Sequence, residues 1–152
     1  MKAINFTLLD QDNVKHTLSD YLGKWVVVYF YPRDNTPGCT TEACSFQNRL
    51  TDYLENDIVV FGISANDIDS HKKFAKKYGL QYSLLSDTDL KVIKAYDSWG
   101  IKKFMGKEFE GILRKTFVIN PEGEIVLDYP KVTPARHGEE ILNEILKLQK
   151  KA

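Results

Sequence analysis

Trp25-Val26-Val27-Val28-Tyr29-Phe30-Tyr31 is an unbroken run of β-branched and aromatic residues. Such a run suits a strand buried on both faces, which places it at the centre of a sheet. The turn-rich stretch Pro32 to Gly38 ends it. Cys39, Ala43, Phe46, Leu50, Tyr53 and Leu54 then recur at helical spacing and predict a helix with one core-facing stripe. Ile58 to Ile63 reads as a second buried strand, and Ser70 to Tyr78 as a helix closed by Gly79. A short strand follows at Tyr82–Leu85 and a further helix at Asp89–Tyr96. The three glycines between Trp99 and Gly111 suggest a loop or irregular arm.

Near the C-terminus, Thr116–Ile119 and Glu124–Tyr129 flank the turn residues Asn120-Pro121-Glu122-Gly123 and predict a hairpin. Glu139 to Lys150 predicts an amphipathic closing helix. Alternating strands and helices followed by a hairpin and a last helix describe an α/β fold, a mixed sheet with helices on both faces. The thioredoxin-like arrangement is one such fold.

The bulk properties narrow the class. At 152 residues and 43% hydrophobic composition the chain is expected to form one domain over 1–152. Twenty-one basic residues balance 21 acidic ones, so no net field draws it to nucleic acid or anionic lipid. Neither a signal-peptide apolar region nor a membrane-length apolar run stands out, so a cytoplasmic protein is expected.

Two cysteines are too few for a dense disulfide framework. Thr36 and Pro37 fit the N-cap and first position of a helix, which puts Cys39 in its first turn. Free amides and the helix dipole favour a thiolate there, the reactive form of cysteine. Cys44 lies five residues on, which in a helix means a rise of about 7.5 Å and a Cα separation of roughly 8 to 9 Å. A disulfide tolerates about 7 Å, so the two can pair only if the helix start unwinds.

Other readings of the cysteines stay open on the residues alone. Both suit small buried hydrophobes. A zinc site is weakly supported, because there is no second cysteine pair and His16, His71 and His137 are scattered. A dithiol carrier would show Cys-x-x-Cys, which this chain lacks. A non-enzymatic thioredoxin-like module would keep the fold without the cysteine chemistry. His16 and His71 lie in polar contexts without an evident partner, and His137 reads as a surface or helix-start residue, with support of catalysis as the other reading.

The segment Phe30-Tyr31-Pro32-Arg33-Asp34-Asn35-Thr36-Pro37-Gly38-Cys39-Thr40-Thr41-Glu42 resembles the active-site stretch of the peroxiredoxins, in particular the bacterioferritin comigratory protein, or PrxQ, type. It contains Pro-x-x-x-Thr-x-x-Cys. The likeness continues through Gly111–Ile119 and on to Lys131, Val132 and His137. The resemblance implies that Cys39 attacks the peroxide and becomes a sulfenic acid. It implies that Thr36 bonds the reacting atoms, Pro32 shields the pocket from water, and Arg114 stabilises negative charge. By the same analogy Glu42 orients an arginine, and Cys44 resolves the sulfenic acid as an intramolecular disulfide.

The resemblance further implies hydrogen peroxide and organic hydroperoxides as substrates, and thioredoxin or a similar dithiol protein as reductant. No metal or organic cofactor is implied. A monomer is expected.

Overall fold

The computed structural model describes residues 1–151. Seven strands form one sheet: β1 (Thr7–Leu9), β2 (Lys15–Thr17), β3 (Trp25–Phe30), β4 (Ile58–Ser64), β5 (Ser83–Ser86), β8 (Thr116–Ile119) and β9 (Ile125–Tyr129), with β6 (Trp99–Phe104) and β7 (Lys107–Ile112) lying outside it. Their order is β2-β1-β5-β4-β3-β8-β9. β3 is parallel to β4, and β4 to β5, while β8 pairs antiparallel with both β3 and β9. The mixed sheet is that of a thioredoxin-like α/β fold.

The period of two along β3 divides the core. Val27, Tyr29 and Tyr31 face one layer, built with α1 (Pro37–Gln47), α2 (Leu50–Glu55), α3 (Ile68–Tyr78) and α5 (His137–Lys151). Val26, Val28 and Phe30 face the other, where α4 (Lys91–Ala95) and the N-terminal segment cover the sheet through Ile93, Phe6 and Leu18. Because both faces are covered, β3 needs no polar alternation and reads as a continuous apolar run.

Several elements depart from expectation. The stripe from Cys39 to Leu54 belongs to two helices, broken at Asn48 and Arg49, and Leu54 is exposed. The first part of the expected helix at Asp89–Tyr96 is a turn, with Leu90 left-handed at φ 65°. Trp99–Gly111 is an ordered antiparallel hairpin, β6 (Trp99–Phe104) and β7 (Lys107–Ile112), instead of a loop. Met105 and Gly106, with φ of 51° and 79°, make the two-residue turn that suits the strand twist. Its side chains are largely exposed, so no burial pattern marked it as strand.

The terminations agree with local chemistry. Asp67 caps α3 by accepting from the Ser70 amide, and Gly79 closes it at φ 64°. No helix among the described residues is long and apolar enough to cross a membrane.

Candidate active site

The connection from β3 to α1 carries Pro32 and Thr36. Thr36 is the N-cap residue of α1, extended at φ −92° and ψ 155°, and Pro37 follows at the first helical position. The Thr36 hydroxyl does not cap the helix. It donates instead to the Arg33 carbonyl at 3.0 Å. Cys39 falls in the first turn and is buried. Pro32, half-buried at the end of β3, adjoins this connection.

Arg114 arrives from the link between β7 and β8. Its Nη2 donates to Cys39 Sγ at 3.2 Å, and its Nη1 donates to Glu42 Oε1 at 2.8 Å. One guanidinium thus bridges sulfur and carboxylate, using the fixed fork of donors that lysine lacks. Gly38 makes room for it: a Cβ there would stand 3.3 Å from Arg114 Nη2.

Glu42 has no exposed surface. Burial outweighs the attraction of Arg114 and pushes its carboxyl up to about 7. Its second oxygen, Oε2, has no hydrogen-bond partner among the described residues. His137 Nε2 lies 3.8 Å away and shares a 2.7 Å hydrogen bond with Thr116 Oγ1. Burial, helped by the charge of Arg114, brings His137 down to about 4. Its Nδ1 is also unpartnered among the described residues.

Cys44 lies further along the same unbroken helix and is half-buried, lining a shallow depression with Thr40, Thr41, Asn48 and Tyr78. Both cysteines are free thiols. Burial pushes the Cys44 thiol up, which holds it in its less nucleophilic form while the helix is intact.

The fold therefore brings Cys39, Glu42 and Arg114 into direct contact and sets Thr36 at the start of the same helix. It does not bring Cys44 to Cys39. All three histidines depart from their expected settings. His137 does begin a helix, but it is buried, and Thr116 is buried with it. His71 was expected to lack a partner and is instead bonded to Asp34 at 2.7 Å. His16 bonds Asp10 at 2.7 Å. The partners are 6 to 37 positions away in the chain, so local context could not reveal them.

The chain that carries this arrangement, a buried thiol at a helix start beside an arginine, has known relatives in sequence and fold. The model of the AhpC/TSA family matches residues 1–127. Peroxiredoxin Bcp of Bacillus subtilis is 43% identical over 134 residues, 88% of this chain and 85% of the relative. A cysteine-to-serine mutant of PrxQ from Xylella fastidiosa superposes with a TM-score of 0.92 at 35% identity, covering 98% of this chain and 95% of that one. The bacterioferritin comigratory protein of Xanthomonas campestris, described in terms of alkyl peroxide reduction activity, superposes at 0.88 with 34% identity, covering 93% and 90%.

The chain belongs to the AhpC/TSA family as a peroxiredoxin of the Bcp, or PrxQ, type. Its chemistry is that of a peroxidase, an oxidoreductase built on a thioredoxin-like fold.

Proposed function

We propose that Cys39 is the peroxidatic residue and that Cys44 resolves its oxidised form. The observation that carries this reading is Arg114, which donates to Cys39 Sγ and to Glu42 at once. A guanidinium held beside the sulfur stabilises a thiolate and the negative charge that spreads onto peroxide oxygens as the O–O bond stretches. Glu42 keeps that guanidinium oriented. Thr36 supplies a hydroxyl at the mouth of the helix, and Pro32 excludes water beside it.

The Cys39 thiolate attacks the terminal oxygen of the hydroperoxide, forming S–O as O–O breaks. The leaving oxygen takes a proton and departs as water or an alcohol. The Cys44 thiolate then attacks the sulfenic sulfur, and hydroxide leaves and is protonated to water as the disulfide forms. Thioredoxin or a similar dithiol protein returns both thiols by exchange. Hydrogen peroxide and organic hydroperoxides are the substrates, the latter supported by the activity ascribed to the Xanthomonas relative. The protein acts as a cytoplasmic monomer, one domain over 1–152, with no cofactor and no nucleic-acid or membrane partner.

The unbroken helix through both cysteines makes unwinding part of each turnover. The same motion exposes Cys44 and relieves the burial that holds its thiol up. Closure and opening steps of this kind often limit enzyme rates.

Stopped-flow mixing of the reduced protein with hydrogen peroxide tests the assignment. Cys39→Ser is expected to abolish rapid peroxide consumption. Cys44→Ser is expected to preserve the first oxidation and block turnover with thioredoxin. Rapid consumption by Cys39→Ser would overturn the peroxidatic role, and full thioredoxin turnover by Cys44→Ser would overturn the resolving one.

A further inference from the structure

Peroxide reduction as described uses neither Asp34 nor His71, yet these two residues form the most completely bonded buried polar group beside the site. We propose that they are positioning residues: they hold the connection from β3 to α1, and with it Thr36 and the first turn bearing Cys39, in the reactive arrangement. The inference rests on the reading of Cys39 as the attacking residue.

Connections of this kind usually lie on the surface and move. This one is tied inward through Asp34, which is buried despite its charge. The Tyr31 hydroxyl donates to Asp34 Oδ1 at 2.6 Å, the Ser70 hydroxyl donates to Oδ2 at 2.8 Å, and His71 Nδ1 lies 2.7 Å from Oδ2. The Asp34 amide donates to Asn66 Oδ1 at 2.9 Å. Main chain and side chain are therefore both held.

His71 connects this anchor to the central sheet. Its Nε2 lies 3.0 Å from the Leu85 carbonyl on β5. A carbonyl only accepts, so the ring donates through Nε2 and meets Asp34 through Nδ1. His71 braces from its own helix, α3, a loop residue two positions before Thr36, and the Leu85 contact fixes the angle of the ring. Asn35 intervenes at φ 62°, a left-handed turn that leads directly into the extended N-cap. A change at Asp34 is thus passed to the direction in which α1 starts. Misplacing reacting groups by about 1 Å can cost a hundredfold in rate.

A structural brace and a positioning brace differ in what conservative variants do. The amide nitrogen of asparagine stands near the place of histidine Nδ1, and that of glutamine near Nε2. His71→Asn therefore keeps a donor for Asp34 and loses Leu85, whereas His71→Gln keeps Leu85 and loses Asp34. Both give up one contact.

The test is stopped-flow reaction of each variant with hydrogen peroxide, alongside thermal unfolding and Cys39→Ser. At closely similar unfolding midpoints, His71→Gln is expected to lose at least tenfold in the second-order rate constant and His71→Asn less than threefold. Equal losses, or losses that only follow stability, would overturn the positioning role. Ser70→Ala removes one donor to Asp34 at a half-buried site and keeps the test decisive if the histidine variants do not fold. A loss of about threefold supports the proposal, and an unchanged rate overturns it. Peroxide consumption surviving in Cys39→Ser would mark a failure of the catalytic reading instead.

Discussion

Two buried histidines stand near two buried carboxylates, Asp34 in the loop before α1 and Glu42 within α1, and the pairs are built differently. In Asp34–His71 both carboxylate oxygens and both ring nitrogens are engaged. In Glu42–His137 one oxygen and one nitrogen have no partner among the described residues, and the closest approach between the acid and the ring is 3.8 Å. The first pair is a brace. The second puts beside Arg114 a carboxyl that changes charge near neutral pH, Glu42 at about 7, and an imidazole that burial keeps uncharged there, His137 at about 4. A site that, on the proposed mechanism, first holds a thiolate and then lets its helix open has use for both: a fixed loop before the helix and an ion pair of modest strength within it.

Removing one member of the saturated pair should produce the largest effect. His71→Phe strands a buried carboxylate with one partner fewer, and a loss of about 3 to 5 kcal/mol in urea unfolding is expected. The double variant Asp34→Asn/His71→Phe should recover part of it. A single variant of wild-type stability would show that the pair is not a brace.

The loose pair should appear in pH dependence. Between about pH 4.5 and 7 the folded chain keeps a proton on Glu42 that the unfolded chain has released, so this group lowers stability as pH rises. Between about pH 4 and 6.5 the unfolded chain binds a proton that buried His137 refuses, so this group raises stability as pH rises. The two slopes oppose each other over most of the same window. Glu42→Gln should leave the rising limb and His137→Asn the falling one, each at most about 3 kcal/mol. Urea titrations across pH 4 to 8 check this, and identical profiles in both variants would contradict it.

In kinetics, the peroxide rate constant should rise as Glu42 ionises through about pH 7 and grips Arg114. Glu42→Gln should lower the rate about tenfold at pH 8, of the order of one charge-assisted hydrogen bond, and remove that rise. The smallest effect is expected at Thr116, whose hydroxyl is hydrogen-bonded to His137. Thr116→Val should cost about 1 kcal/mol with little change in rate, measured by urea unfolding and stopped flow.

The difference between these pairs also marks how far the sequence could be read. The apolar run at β3 and the Thr36-Pro37 cap before Cys39 were legible because their signals are local, a continuous pattern and a fixed spacing. Glu42 was legible only through its resemblance to relatives, since a glutamate one turn along a helix is ordinarily solvated. His71 and His137 were not legible, because their partners come from other elements once the sheet is assembled. The β6–β7 hairpin was missed for a different reason: with both faces largely exposed, its hydrogen bonding leaves little trace in hydrophobic order. Glycine content there pointed to a loop, whereas Gly106 serves the turn and Gly100 and Gly111 pair across the strands.

The central claim is that Cys39 receives the oxygen and that the helix opens to pass the oxidation to Cys44. Mass mapping of proteolytic peptides after one equivalent of hydrogen peroxide measures both parts at once. The expected product is a Cys39–Cys44 disulfide within one chain, and in Cys44→Ser a single oxygen on Cys39. Oxygen found first on Cys44, or peroxide consumed with both thiols unchanged, would contradict it.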